Sequence, residues 1–284
     1  MARLPSHVVV VLIVAVLAIS SSAVIVRAIE GVHPLAIAFW RTLAVAVLLA
    51  PAARRISVRD AALIGLSGAC LAAHFTAWFA SLQHITVMRS TVLVSLGPVW
   101  TGLLEWGVLG HRPRARFWGG LALAVPGVAL LTGALPTMDA LQGDVLALLG
   151  GVLVAGYFVI GHSVRRRVGI GTYACLVCAA AAAILLPVIA ATGTPATGYP
   201  SHTWVLLAAL AIGPQLLGHN GLNYALRYLR AGTVSSLTIL EPVGATVLAA
   251  LLLAEYPTPV AALGAAITVL GVGIAYWTRQ GKPG

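Results

Sequence analysis

The sequence has very little charge. Only 8% of its 284 residues are charged, 60% are hydrophobic, and the mean hydropathy is +0.99. An ordinary soluble domain carries about a quarter charged residues, so this chain cannot cover itself with a polar surface. The composition therefore excludes a soluble globular protein and predicts a membrane protein.

Acidic residues are especially scarce, at 7 against 17 basic residues, which gives a formal net charge of +10. A nucleic-acid-binding protein gathers its basic residues on one solvated face. Here they stand in small groups between long apolar runs. We therefore expect no nucleic-acid partner and interpret the basic groups as signals of membrane topology.

Cysteine is scarce too, and Cys70, Cys175 and Cys178 all lie within apolar stretches. This placement excludes a disulfide framework. Cys175 and Cys178 have the spacing of half a metal motif, but no second ligand pair follows, so we predict no metal site. The sequence also lacks a phosphate-binding glycine loop and an HExxH group. We expect no cofactor, no ATP-driven pumping and no enzymatic activity.

What the sequence does contain is a series of apolar runs, each near the length of about twenty residues that crosses a bilayer as a helix. The first run looks superficially like a secretory signal, but similar runs recur to the end of the chain, so we interpret it as an uncleaved span. The connections are short and leave no room for a separate soluble domain. The ten predicted spans are Val8–Ala28, Pro34–Ala53, Ala61–Leu82, Ser90–Gly110, Phe117–Leu135, Val145–His162, Tyr173–Ala191, Trp204–Leu226, Gly232–Ala254 and Pro259–Trp277.

The basic residues alternate between the loops in a way that predicts orientation. With a cytoplasmic N-terminus, 14 of the 17 basic residues fall on the inside, from Arg3 through the Arg112–Arg116 turn to Lys282. Only Arg27 and Arg89 fall outside, and the remaining one, Arg41, lies within the second span. Because cytoplasmic loops are enriched in Lys and Arg, we predict a multi-pass protein of the cytoplasmic (inner) membrane with both termini in the cytoplasm.

The chain also resembles itself at an offset of 144 residues, where 13 of 57 aligned positions are identical. Pro98 aligns with Pro242, Pro113 with Pro257, Gly120 with Gly264 and Gly127 with Gly271. A unit of five spans is odd, so the second copy must cross the membrane in the opposite sense. We predict an all-α integral membrane protein of ten helices in two inverted repeats, residues 1–137 and 138–284. Such repeats are typical of secondary transporters.

Two stretches resemble a known family. The segment Ser236–Val243, continued by Leu251–Glu255, resembles the closing helices of the EamA type of the drug/metabolite transporter superfamily, and Pro34–Arg41 resembles its second helix. The resemblance implies export or facilitated passage of amino acids, related metabolites or amphiphilic drugs. It also implies a cavity lined by the first, third, fourth, sixth, eighth and ninth spans. The first half departs from the pattern, with His111 and Gly97 where acidic residues are expected.

Charged groups within the spans are the strongest site candidates, because each is costly to insert without a partner or water. Glu241 lies about 13 Å into the ninth span, near the midplane. It could bind a substrate ammonium or a proton, or it could be a packing carboxyl. Arg41 lies about 10 Å into the second span. Its guanidinium could receive a substrate carboxylate, or it could be a structural cation.

The eighth span carries a polar stripe of Gln215, His219 and Asn223, with Asn220 beside it. A polar stripe cannot face lipid, so these residues either line a pore or form interhelical hydrogen bonds. His74 and Trp78 share one face of the third span and would suit an aromatic or amphiphilic ligand.

The remaining candidates are weaker. Trp100 and Tyr157 could line the cavity, Pro98 and Pro242 could act as hinges, and Glu105 is expected to form a salt bridge with the Arg112–Arg116 turn. The predicted partners are a small-molecule substrate and the lipid bilayer, and the oligomeric state, monomer or homodimer, stays open. The alternative functions are an intramembrane transferase or hydrolase and a non-transporting scaffold.

Overall fold

The computed structural model describes residues 4–85, 87–132, 141–253 and 256–277. Within these ranges the chain is helical and contains no strand. The helices are α1 (Ser6–Ser20), α2 (Ser22–Ala28), α3 (Pro34–Leu49), α4 (Val58–Ser81), α5 (Val87–Val94), α6 (Gly97–Leu109), α7 (Ala115–Thr132), α8 (Leu141–Arg165), α9 (Ile170–Thr192), α10 (Ser201–Leu210), α11 (Asn220–Ala225), α12 (Ala231–Thr238), α13 (Glu241–Leu253) and α14 (Pro259–Trp277). A π-helical segment, Ala211–His219, joins α10 to α11.

Local sequence sets several helix ends. The His33 side chain accepts a hydrogen bond from the Leu35 amide, and Pro34 follows at the first helical position, where its missing N–H has no partner to lose. Ser57 caps α4 through the Asp60 amide at 3.1 Å. Gly110 ends α6 with a φ of 68°, a conformation that suits glycine.

Within the described ranges, eight helical stretches are long and apolar enough to cross a membrane. They are Ser6–Val26, Pro34–Ala52, Val58–Ser81, Arg89–Leu109, Leu141–Arg165, Ile170–Thr192, Ser201–Ala225 and Ala231–Leu248. Two further apolar helices, Ala115–Leu131 and Pro259–Ala275, are shorter. Large apolar side chains on the outer surface, such as Val108 at 69% exposure and Leu251 at 76%, suit contact with lipid. The chain is thus a multi-pass membrane protein.

Two of the spans are broken in the same way. The helix α5 ends at Val94 and α6 begins at Gly97, while α12 ends at Thr238 and α13 begins at Glu241. All four bounds are related by the offset of 144 residues that the sequence shows. Pro98 and Pro242 are the second residues of the restarted helices, where a proline breaks no hydrogen bond within the new helix.

Most of the helix packing belongs to one main hydrophobic core. Buried side chains of α1, α3, α4, α8 and α9 form a large hydrophobic core, and α4 packs along α8 while α3 packs along α9. A second, smaller core lies around Phe117, Val128 and Val272, where α7 packs along α14. Among the residues that the structure describes, two ion pairs join helix ends: Asp60 with Arg167 and Arg89 with Asp144, both at 2.6 Å.

Some predicted features lie outside the described residues. They are Arg3, the boundary between the halves at 137 and 138, Glu255 at the end of the segment that resembles the family, and the basic residues Arg279 and Lys282.

Candidate functional site

A narrow cavity lies in the centre of the bundle, between the two broken spans. Its volume is about 40 Å³, and because one water molecule needs about 10–15 Å³ of such volume, it has space for only a few waters. Residues from both halves line it: Ile19, Ser22, His74, Trp78, Thr91, Val94, Ser95, Val154, Phe158, His219, Leu222, Thr238 and Glu241.

The wall from α4 is fixed by a hydrogen bond and a ring contact. His74 is buried, and its Nδ1 lies 2.8 Å from the carbonyl oxygen of Gly150 on α8. Its ring stacks on Trp78 with centroids 6.0 Å apart and an angle of 16° between planes. The Trp78 Nε1 is buried and has no hydrogen-bond partner among the described residues. The indole of this cavity-lining residue therefore has an unused donor.

A neighbouring part of the wall comes from the polar stripe on the π-helical segment and α11, and the His219 ring centroid lies 6.3 Å from that of His74. His219 lines the cavity, and its ring meets Phe75 edge-on at 5.3 Å. The His219 Nδ1 and both amide atoms of Asn220 are buried without a hydrogen-bond partner in the described part of the chain. Because buried polar atoms are nearly always paired, this cluster is typical of a place where a ligand or water binds.

Two other members of the stripe bond to protein. The Gln215 side chain is fully buried, accepts from Arg41, and donates to the Cys178 sulfur at 3.5 Å. The Asn223 Nδ2 donates to the Tyr157 hydroxyl. The stripe thus divides, with Gln215 and Asn223 in interhelical hydrogen bonds and His219 at the cavity.

Arg41 lies behind the cavity wall and is fully buried. Its Nε donates to Gln215 at 2.8 Å, its Nη1 donates to Ser22 at 3.3 Å, and its guanidinium lies 4.0 Å from the centre of the Phe75 ring. Of these partners Ser22 itself lines the cavity. Arg41 is therefore a buried cation whose contacts hold the cavity wall in place.

Glu241 is the acidic residue that lines the cavity. It is the first residue of α13, directly after the break, and its side chain remains partly exposed. A carboxylate at this point can attract a cationic group that enters the cavity.

The structure brings four of the predicted site residues to the cavity, namely His74, Trp78, His219 and Glu241. Gln215, Asn223, Tyr157 and Arg41 form the hydrogen-bonded layer behind it. Trp100 is half-buried on α6, and its Nε1 has no partner among the described residues.

Sequence reasoning missed the hydroxyl groups that line the cavity, which belong to Ser22, Thr91, Ser95 and Thr238. Thr91 and Ser95 precede the Pro98 break, and Thr238 precedes the Pro242 break. For Thr91, Ser95 and Thr238, the signal in the sequence was a polar residue shortly before a proline that marks a helix break.

Comparison with known proteins gives the family. The profile of the EamA-like transporter family matches residues 6–133 and again residues 141–277. The chain belongs to the EamA-like transporter family. This EamA-like transporter is 27% identical over 255 residues to the uncharacterised transporter YwfM of Bacillus subtilis, covering 86% of this chain and 84% of the relative.

Other relatives of the EamA-like transporter have more specific names. It is 28% identical over 222 residues to a probable terminal-alkyne amino-acid exporter of Streptantibioticus cattleyicolor, covering 77% of this chain and 74% of the relative. It is 36% identical over 69 residues to the probable 4-amino-4-deoxy-L-arabinose-phosphoundecaprenol flippase subunit ArnE of Klebsiella pneumoniae, over 24% of this chain and 61% of the relative.

A crystal structure shares the fold of the EamA-like transporter. The two chains superpose with a TM-score of 0.78 at 21% identity, over 96% of this chain and 97% of the other. At this identity the likeness concerns the fold alone.

Proposed function

We propose that this EamA-like protein is a secondary transporter or facilitator. It moves a small metabolite, such as an amino acid or a related amine, or an amphiphilic drug, outward across the cytoplasmic membrane. Transport proceeds by alternating access about the central cavity. The observation that carries this proposal is the cavity itself, which Glu241, Trp78 and His219 line between two broken spans, and where the Trp78 Nε1 and the His219 Nδ1 are buried without a hydrogen-bond partner among the described residues.

The architecture behind the proposal is ten spans in two inverted repeats, residues 1–137 and 138–284, with both termini in the cytoplasm. The two matches to the family profile support this division. The packing supports it too, because contacts between the halves occur in matching pairs with the roles of the halves exchanged. The helix α4 of the first half packs on α8 of the second, and correspondingly the π-helical segment of the second half packs on α1 of the first. In the same way α6 packs on α8, and α13 packs on α1. Halves that can exchange roles suit alternating access.

The cavity chemistry favours an amine with an apolar portion. Glu241 can bind the ammonium, and the Trp78 ring can add an attraction for the same cation. The unpaired Trp78 Nε1 and His219 Nδ1 can bond to polar groups of the substrate. Val154, Phe158 and other apolar lining residues would contact the substrate's apolar portion.

A cavity of about 40 Å³ is too small for such a solute without movement. The breaks at Pro98 and Pro242 lie directly beside the cavity, and broken helices are the places where a helix can bend. We propose that the half-helices α5, α6, α12 and α13 tilt about these breaks to admit the solute.

The proposal is tested with purified protein in sealed vesicles loaded with a panel of amino acids, primary amines and amphiphilic drugs. We expect saturable loss of at least one class of solute, and we expect Glu241→Gln to abolish it. Glu30→Gln, which removes an exposed acid between α2 and α3, is the matched control and should retain flux. Wild-type vesicles that release no member of the panel faster than empty vesicles would contradict the proposal.

The same measurement separates the alternative functions. An intramembrane enzyme would convert its substrate in detergent, where no gradient exists, whereas a transporter moves it unchanged between compartments. A scaffold would retain partner binding in Glu241→Gln and show no flux in the wild type.

A further inference from the structure

A large apolar groove lies beside the central cavity and faces the lipid. Its volume is about 450 Å³, against about 40 Å³ for the cavity on the same measure. Apolar side chains of α1, of the α12–α13 region and of α14 line it, and Gly273 leaves it open on one side. Nothing lies within 4 Å of the point where a Cβ on Gly273 would stand.

The position of the groove points to an alkyl chain as its occupant. Ile13 and Val269, which line it, are 56% and 50% exposed on helices that the bilayer surrounds. No charged side chain is among its described lining residues. Inside a bilayer, an apolar groove with these walls is filled by hydrocarbon, because no polar group is available there to bind water.

The groove and the cavity share one wall. At the break between α12 and α13, Leu237 and Leu240 line the groove, while Thr238 and Glu241 line the cavity. On α1, Leu17 lines the groove and Ile19 lines the cavity. A molecule that crossed this wall would have its tail among leucine and valine side chains and its head at a carboxylate.

The helices α1 and α13 pack closely at Ser20, three residues beyond the last residue of α1 that lines the groove. A Cβ on Gly244 would lie only 2.1 Å from the Ser20 Oγ, so α1 and α13 touch there. The residues of α1 that line the groove, from Val9 to Leu17, lie on the N-terminal side of this contact, and our proposed topology places the N-terminal half of α1 in the cytoplasmic leaflet.

We propose that this groove holds the alkyl chain of a cationic amphiphile whose ammonium end reaches Glu241 through the break between α12 and α13. Such a substrate would enter sideways from the cytoplasmic leaflet and not from water. This inference rests on the proposed function for the direction of movement, but the binding site itself can be tested without transport.

The test uses dodecylamine with a photoreactive diazirine at the far end of its chain, added to the full-length protein in lipid nanodiscs. After illumination and digestion, mass spectrometry locates the label. We expect it on α1 and α14, next to the groove. Gly273→Phe fills the groove and should lower this labelling about tenfold, the ratio that corresponds to about 1.4 kcal/mol of binding. Gly119→Phe, at an exposed position on α7 that is equally open, is the control and should not lower it.

Dodecanol with the same diazirine tests the charged end. Glu241→Gln should weaken labelling by the amine and leave labelling by the alcohol unchanged. Leu17→Trp, on the opposite wall, is a second way to fill the groove if Gly273→Phe does not fold. Labelling spread evenly over the lipid-facing helices, or unchanged in both filled variants, would overturn the inference. Labelling as expected without flux in vesicles would instead contradict the proposed function.

Discussion

Pro98 and Pro242 stand at the same position of two helices that restart after a two-residue break. They are the second residues of α6 and α13, and the helices before and after each break begin and end 144 residues apart. The two prolines therefore mark the same backbone conformation in two parts of the chain, and their alignment is not a chance match in an apolar sequence. The breaks also bring Ser95 and Thr238 to the cavity.

If the shared backbone is inverted, the turns after α6 and after α13 lie on opposite sides of the membrane. Arg114→Cys and Thr258→Cys place single thiols at exposed positions in these turns. The background replaces Cys70, Cys175 and Cys178 with alanine. In intact cells a membrane-impermeant thiol reagent should label Cys at 258 and label Cys at 114 only after permeabilisation. Equal labelling of both in intact cells would contradict the inverted arrangement.

A close backbone contact between α7 and α14 predicts a loss of stability. A Cβ on Gly264 would lie 2.4 Å from the Leu131 amide nitrogen and 2.8 Å from the Gly127 carbonyl oxygen. Because backbone cannot move aside as a flexible side chain does, Gly264→Ala must separate α7 from α14. We expect the free energy of unfolding to fall by roughly 1–3 kcal/mol, as in other overpacked interiors.

The matched control for this prediction is Gly119→Ala, since nothing lies within 4 Å of its added Cβ. Unfolding in mixed detergent micelles, followed by loss of helical circular dichroism, compares the two variants. An equal effect of both substitutions would show that general glycine propensity, and not the α7–α14 contact, sets the stability.

These examples show what the sequence could predict. The aligned prolines and glycines were visible because backbone geometry permits few residue types at a break or a close contact. The polar stripe on the eighth span was visible because helical periodicity places its members on one face. The family and the membrane class followed from composition and from motifs, and the comparisons confirm both.

The rest depended on contacts between residues far apart in the sequence. The chain could not reveal that Gln215 bonds to Arg41 while His219 four residues later lines the cavity, because that division depends on the neighbouring helices. The π-helical segment has no sequence signature beyond Pro214. The expected salt bridge of Glu105 with the Arg112–Arg116 turn was wrong, because its carboxylate bonds to amides that come more than a hundred residues later.

The unpaired indole nitrogen of Trp78 predicts an effect on flux. Trp78→Phe keeps an aromatic ring beside His74 but removes the unpaired Nε1 donor of this cavity-lining residue. We expect the rate of solute release from vesicles to fall roughly five- to tenfold, which corresponds to the loss of about one hydrogen bond to the solute. Trp106→Phe, on the exposed face of α6, is the control and should transport normally. Unchanged flux in Trp78→Phe would remove the indole from the binding site.

From the hydrogen bond between Arg41 and Gln215 we predict that this buried pair stabilises the fold. Gln215→Leu would leave the fully buried guanidinium with one fewer acceptor, so we expect a loss of about 1.5–3 kcal/mol in the free energy of unfolding, the range for hydrogen bonds to charged groups. Gln83→Leu, in the exposed turn after α4, controls for the added apolar side chain. If Gln215→Leu is as stable as this control, the cation has another stabilising partner.

The Glu105 carboxylate joins the two broken spans at one end. Its two oxygens accept from the Ala231 and Gly232 amides at 3.0 and 3.1 Å, and α12 has no capping side chain of its own. An acid supplied by α6 therefore satisfies the first turn of α12, where a negative charge also complements the helix dipole.

Glu105→Ala should consequently destabilise the protein by about 1–2 kcal/mol, comparable to losing a helix cap. Glu105→Gln retains one acceptor oxygen but no charge, so its loss should be smaller, and Glu30→Ala serves as an exposed control. Hydrogen exchange at Ala231 and Gly232 measures the contact directly and should accelerate in Glu105→Ala more than in Glu105→Gln.

Because this contact ties α6 to α12, it must also break if the two half-helices separate there during transport. A thiol placed at Thr238 by Thr238→Cys should then react faster with a water-soluble reagent in Glu105→Ala than in the otherwise wild-type chain, and an unchanged rate would mean that this contact does not restrain the opening of the cavity.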